Sequence, residues 1–466
     1  MALAFLLRGW EFGNPVIHVD EQWYLLVGDR MRDGAMPYLD LWDRKPLGLF
    51  VLFAAIRSLP GDGVVAYQVV ACLFAGATAW VVERCARAVG ASRGAALAAG
   101  AAYLLWLALL SGRGGQSPVF YNLWSAGAAL LTLRLPARSS ARAVWWSGAG
   151  ACALAGLAIQ TKYTPAVEGA VFGCAHFFHL RRTGAGWSAT AAAAFGWIAL
   201  ALLPTLVAAW SYWLLGPVAW QAWWFGNFGS ISLRRAYPAA KIEMRLLGTW
   251  AQLAPLVVAA LLARRDRSPA IAPAWAWLAA ALVAWASVGA FFDHYALPLL
   301  PPLAVLASLA WTRRPRLLLA SLAAALATLD VKAAVRSDDA SGARAIAAFV
   351  AAHDGGECPY VFAGDAITYL LAHACTPTRY AFPSTLSYAS EQGSTGIDEA
   401  AEVRRIMARR PPAVVTLAEP LAPWNRDSLG VLRAALRRDY YPAFSAPEYG
   451  TRAIVYLRRS PKESKR

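Results

Sequence analysis

The sequence predicts a mainly α-helical, polytopic membrane protein with a small α/β domain at its carboxyl end. Three observations predict it. Hydrophobic residues make up 58% of the 466-residue chain and charged residues 15%, a balance unlike that of a soluble domain. Apolar runs of seventeen or more residues recur, close to the twenty or so that cross a hydrocarbon core about 30 Å thick. From residue 335 onward the apolar runs give way to short strand-like and helix-like stretches. The net charge of +16 does not point to nucleic acid, because many of its Lys and Arg sit in short clusters between apolar segments.

The first seven residues are apolar but too few to cross a membrane before Arg8, so the run reads as the remainder of a longer first helix or as a partial anchor. No small-residue cleavage site follows it, against a signal peptide. Residues 11–60 then form an outward loop. Within it, the 20–60 region reads as two helices lying along the membrane surface, the second at 47–58 and opened by Pro46.

Ten spans follow, near 64–83, 94–111, 119–135, 143–160, 164–180, 188–214, 246–263, 270–290, 295–311 and 316–330. Alternate connectors carry arginine clusters: Arg84, Arg87 and Arg93; Arg134, Arg138 and Arg142; Arg181 and Arg182; Arg264, Arg265 and Arg267; Arg313, Arg314 and Arg316. Retention of positive charge places these in the cytoplasm. The opening loop, the 112–118 and 161–163 turns, the 215–245 loop, residues 291–294 and everything after 331 then face outward.

Residues 1–334 are thus a membrane domain and 335–466 an extracytoplasmic α/β domain of about 130 residues, large enough for its own core. Its expected strands are 359–365, 378–382, 413–417 and 452–457, with helices at 366–374 and 398–410. Cys72, Cys85, Cys152 and Cys174 lie in or beside spans and read as apolar packing residues. Cys358 and Cys375 open two expected neighbouring strands in an oxidising compartment, and a disulfide between them is expected.

The polar opening segment is the most informative stretch. It sets Asp20, Glu21, Asp33, Asp40 and Asp43 close to Arg44 and Lys45 in an otherwise apolar chain. A Tyr-x-Asp-x-Trp-Asp-x-Lys-Pro run (38–46), a Thr-Lys-Tyr-Thr-Pro turn (161–165) and His294-Tyr295 opening a Pro-rich late span complete the pattern. In order and topology these resemble the bacterial GT-C membrane glycosyltransferases related to protein O-mannosyltransferases, the aminoarabinose transferase acting on lipid A and the rhizobial galacturonic acid transferases. No single motif is specific, but the resemblance covers the whole chain. It implies inverting transfer of a sugar from a polyprenyl-phosphate donor to a lipid, glycan or protein acceptor on the outer face of the bacterial cytoplasmic membrane. The family's catalytic aspartate matches Asp20, and its Lys-Pro segment near the donor phosphate matches Lys45-Pro46.

The chemistry asks for these residue types. An acceptor hydroxyl needs a carboxylate to take its proton, which Asp20 or Glu21 can supply. The departing phosphate needs cations, and Arg44, Lys45 and Lys162 lie on the correct face. Each has a plainer reading. Asp20 is also a good N-cap for the helix expected to begin near Glu21, and Glu21 then reads as a supporting acid. Asp43 either binds acceptor or metal or neutralises its basic neighbours. Lys45 and Lys162 can mark the interface, His294 and Tyr295 can be interfacial packing, and the Trp-rich 220–235 loop, with Arg234 and Arg235, is either a lid or an aromatic anchor.

One departure matters. Where many relatives carry a second acid, this chain reads Gln116 to Asn122 with no carboxylate, which leaves a metal-bridged mechanism and any metal cofactor unsupported. Walker-type, zinc-protease, Cys-x-x-Cys and nucleophile-elbow motifs are absent, so nucleotide-sugar use is unsupported too. A transporter or flippase of lipid-linked sugars would place acids mid-span, whereas Glu83, Glu168 and Asp330 lie near span ends. A noncatalytic envelope anchor would need neither the acidic loop nor Lys45.

Overall fold

The computed structural model describes residues 1–334 and 339–460. The boundary at residue 335 and the last six residues lie outside the described residues. Three short helices come first: α1 (Ala2–Arg8), α2 (Val19–Arg32) and α3 (Leu47–Arg57). The bundle follows as α4 (Val64–Ala88), α5 (Arg93–Leu109), α6 (Ser117–Leu133), α7 (Ala141–Ile159), α8 (Ala166–Arg182), α9 (Trp187–Leu214), the connecting α10 (Pro217–Asn227), α11 (Ala239–Leu262), α12 (Ile271–Ala286), α13 (Leu300–Arg313) and α14 (Pro315–Ala334).

A helix therefore occupies each of the ten expected spans. Five are long and apolar enough to cross a membrane, counting the 3-10 turn Asp293–Leu299 with α13. The others run 16 to 19 residues. The protein is a multi-pass membrane protein. Local chemistry sets the boundaries: Ser92 and Ser140 cap α5 and α7 through their hydroxyls, and Pro118 and Pro217 occupy first turns. The segment Asp293–Arg313 is the axis of the bundle, with 89% of its apolar window buried, against 11% for α14 at the periphery.

The carboxyl-terminal part holds α15 (Ala340–His353), β1 (Tyr360–Val361), α16 (Ile367–Leu371), α17 (Ser384–Ser387), α18 (Glu399–Ala408), β2 (Ala413–Leu417), α19 (Arg426–Asp439), β3 (Tyr440–Glu448) and β4 (Thr451–Arg458). The sheet order is β1-β2-β4-β3, with β1 parallel to β2 and the other pairs antiparallel. Val415 is the hub, opposite Val361 on one side and Val455 on the other. Tyr449 and Gly450, both at positive φ, turn β3 into β4 as a two-residue hairpin loop.

Several expectations need correction. Residues 378–382 form no strand. Pro377 and Pro383 bracket them, and the Arg379 carbonyl accepts the Trp42 N–H instead of a sheet partner. Cys375 therefore opens no strand, although Cys358 and Cys375 are joined as a disulfide. The strand that closes the edge is β3, whose Pro442 and Pro447 hide it from a strand pattern but are tolerated at an edge. Cys174 is exposed, unlike the other three free cysteines.

Of the two helices of the opening loop, α2 is largely buried, whereas α3 leaves Val51 and Ala55 exposed. Glu21 to Gly28 are buried, because α2 is sandwiched between α3 and the carboxyl-terminal part. Trp23 meets Phe382 edge-on at 5.6 Å, Gln22 donates to Asp365 Oδ1 at 2.6 Å, and Arg30 donates to the Ala374 carbonyl. A Cβ on Gly28 would sit 2.6 Å from the Phe53 backbone, so only glycine allows α2 and α3 to approach this closely.

Candidate active site

Four chain segments meet around Asp20. Helix α2 opens with His18 as its N-cap: the Nδ1 accepts the Asp20 N–H at 3.3 Å and lies 2.5 Å from Gln116 Nε2. Capping thus falls to His18, which releases the Asp20 carboxylate from that task. Its Oδ2 faces His294 Nε2 at 3.9 Å. His294 packs edge-on against His18 (4.6 Å) and Tyr295 (4.5 Å), and the Lys162 ammonium lies 4.3 Å above the Tyr295 ring. From the next loop Lys45 approaches Asp43 at 3.9 Å and the face of Tyr24 at 5.3 Å. Asp20, Lys45, Lys162, His294 and Tyr295 form one cluster.

Its electrostatics follow from burial and charge. Burial alone would raise the Asp20 pKa, yet Lys45, His18, His294 and Lys162 overcome it and hold the carboxyl at about 2, fully ionised. Lys45 is penalised by burial, but Asp43 and Asp20 more than compensate and raise its pKa. Lys162 has weaker support. Burial, reinforced by the Lys45 charge, lowers it to about 7, so its charge is poised near neutrality.

The other expected site residues have different company. Glu21 points into a separate, fully buried niche against Gly114 and Gly115, where burial, with the Asp20 charge adding, pushes it up to about 8. It is a neutral acid packed on backbone at neutral pH. Asp43 accepts the backbone N–H groups of Arg44 (2.5 Å) and Lys45 (2.8 Å), so it shapes the loop that presents Lys45. Arg44 is engaged outside the cluster, with Glu391 at 2.7 Å and the hydroxyls of Ser394 and Ser230.

The structure adds residues that the sequence did not single out. Glu391 accepts both Arg44 and Arg234 at 2.7 Å and so ties the opening loop, the Trp-rich loop and the carboxyl-terminal part at one point. Asn227 accepts the Tyr163 hydroxyl at 2.7 Å, which fixes the loop next to Lys162. Arg8 donates to the Gly112 and Gly114 carbonyls and holds the turn on which Glu21 packs. At the position of the missing acid, Gln116 supports His18, and Asn122 donates to the Leu297 carbonyl at 3.1 Å. Among the described residues no three His, Cys, Asp or Glu side chains converge where a metal ion could sit.

No protein-family model and no curated protein sequence matches the chain. Solved structures do. ArnT from Cupriavidus metallidurans in its apo state superposes with a TM-score of 0.67 at 14% identity, over 98% of this chain and 96% of that one. The same protein bound to undecaprenyl phosphate gives 0.68 at 14% identity, over 99% and 96%. The arabinofuranosyltransferase AftD from Mycobacteria gives 0.50 at 15% identity, over 98% of this chain but 41% of that one. The chain has a GT-C fold. At such identity the likeness is one of fold, and in this GT-C fold the Asp20 cluster sits where the opening loop, the start of the bundle axis and the α7–α8 turn meet.

Proposed function

We propose that the protein is an inverting glycosyltransferase that moves a sugar from a polyprenyl-phosphate donor to a lipid, glycan or protein acceptor on the outer face of the cytoplasmic membrane. The observation that carries this reading is the convergence of one ionised carboxylate, Asp20, with two lysines and a histidine from separate segments. A GT-C fold shared with a transferase solved with undecaprenyl phosphate supports it.

In the reaction an acceptor hydroxyl oxygen attacks the anomeric carbon, the bond from that carbon to the phosphate oxygen breaks, and the hydroxyl proton passes to Asp20. Negative charge grows on the departing phosphate, where Lys45 and Lys162 receive it. The same lysines hold Asp20 ionised. Once the phosphate engages them, they stabilise the carboxylate less, and Asp20 becomes the stronger base that proton transfer needs. Glu21 keeps a structural part beneath α2, and Arg44 secures the loop.

Mass spectrometry of envelope lipids and glycans from a deletion strain, with and without the wild-type gene restored, tests the reading. A sugar-bearing species that disappears and returns supports it and names the sugar. An unchanged envelope profile in a strain that normally produces the protein contradicts it.

A further inference from the structure

A second concentration of positive charge lies far from Asp20. Helix α4 starts beside Leu25 of α2 and runs 25 residues, about 37 Å at 1.5 Å per residue, so its last turn sits at the opposite end. Helix α6 likewise starts next to Gln116 and ends at Arg134. Between these two ends lies a cavity of about 520 Å³, walled by Ala88, Leu133, Pro269 and Ala270 and ringed by Arg84, Arg87 and Arg134. Among the described residues no carboxylate lines it. Among the described residues Arg87 and Arg134 form no ion pair with an acid, and Arg84 has only its neighbour Glu83 at 3.4 Å.

Retention of positive charge on the cytoplasmic side accounts for arginines at this end. It does not account for three of them around one indentation with apolar walls. Ala270, the residue before α12, also brings the positive end of that helix to the wall. Guanidinium groups bind phosphate oxygens through paired N–H donors, and basic pockets between membrane helices on the cytoplasmic side suit anionic headgroups. The volume lies in the range of small-ligand sites.

We propose that this cavity binds a phosphate oxyanion, carried by the headgroup of an anionic phospholipid or by free phosphate, with Arg87 and Arg134 as its main ligands and the apolar wall against the lipid's glycerol. The site is separate from the transfer site and independent of the reaction proposed there.

The test uses full-length protein purified in detergent, with binding of phosphatidylglycerol, phosphatidylcholine and inorganic phosphate followed by native mass spectrometry and thermal shift. Wild type is expected to prefer phosphatidylglycerol to phosphatidylcholine by tenfold or more. The R87Q/R134Q variant is expected to lose that preference, while R264Q/R265Q, altered near the same end but outside the cavity, keeps it. Competition by inorganic phosphate identifies free phosphate as sufficient, and its absence identifies the lipid as the source. Equal binding of both lipids with no phosphate binding, or a preference unchanged in R87Q/R134Q, overturns the proposal. Photoreactive phosphatidylglycerol on the wild-type protein gives a readout that does not depend on the variant's folding. Labelling should fall within 84–88 and 133–137, and labelling spread evenly over the bundle overturns the site.

Discussion

The two ends of the helix bundle handle charge in opposite ways. At the Asp20 end cations are half-buried and matched to carboxylates or aromatic faces: Lys45 to Asp43, Arg44 and Arg234 to Glu391, and Lys162 to the Tyr295 ring. At the other end Arg87 and Arg134 are exposed and, among the described residues, without acid partners. Near-neutral bookkeeping in a buried site perturbs individual protonation states, as Asp20 and Lys162 show. An unmatched exposed set produces a positive field. Balance suits chemistry, and imbalance suits orientation and anion binding.

The contrast can be broken most severely at Asp20. Asp20→Asn should lower transfer by about three orders of magnitude with the protein still folded and present in the membrane, the loss expected on removing a general base. R87Q/R134Q at the other end should leave the transfer rate within about twofold of wild type, since it touches no reacting group. A large loss there would erase the distinction between the ends.

Lys45→Gln should weaken binding of undecaprenyl phosphate by roughly tenfold to a hundredfold, the range for losing a charge-assisted contact in a partly buried site. Titration calorimetry reads it directly. Lys162 sharpens the same point through pH. Its ammonium is charged below about 7 and neutral above, so undecaprenyl phosphate should bind progressively more weakly as pH rises from 7 to 9, by at most about tenfold per unit. Lys162→Arg, which stays charged, should flatten that slope, and an equally steep slope in the variant would assign it elsewhere.

A smaller effect concerns how the carboxyl-terminal part sits on α2. Asp365 and Glu448 are buried together. Burial raises Asp365 to about 6 despite hydrogen bonds from Tyr449 and Gln22, and burial with the Asp365 charge raises Glu448 well above its ordinary value. Acids with raised values hold protons more tightly folded than unfolded, so stability is greatest below about pH 4 for this pair and declines as pH rises through 6 and beyond. Glu448→Gln should flatten the decline in melting temperature across that window, and an unchanged slope would remove the pair as its cause.

Much of the architecture was legible because apolar run length is a local property. The ten helices fall where hydropathy places them, and Asp20, Lys45, Lys162 and His294 share a face that topology alone predicts. What was hidden depends on distant partners or unusual local choices. Histidine is an uncommon N-cap, so the sequence pattern favours Asp20 for a role that His18 fills by accepting the Asp20 N–H. The burial of α2 depends on Gln22 reaching Asp365, 343 residues away. Glu391 carries no local signal, because an acid in a Ser- and Gly-containing loop is ordinary until Arg44 and Arg234 are found on either side of it. Strand β3 is hidden in the sequence because its prolines are tolerated only at the edge position that the finished sheet gives it.

The most direct test of the central claim is complementation of a deletion strain by Asp20→Asn at wild-type abundance, with the sugar-bearing envelope product quantified by mass spectrometry. The account predicts no detectable product, with undecaprenyl phosphate still bound by the purified variant. Product at the wild-type level from a folded Asp20→Asn protein would contradict it.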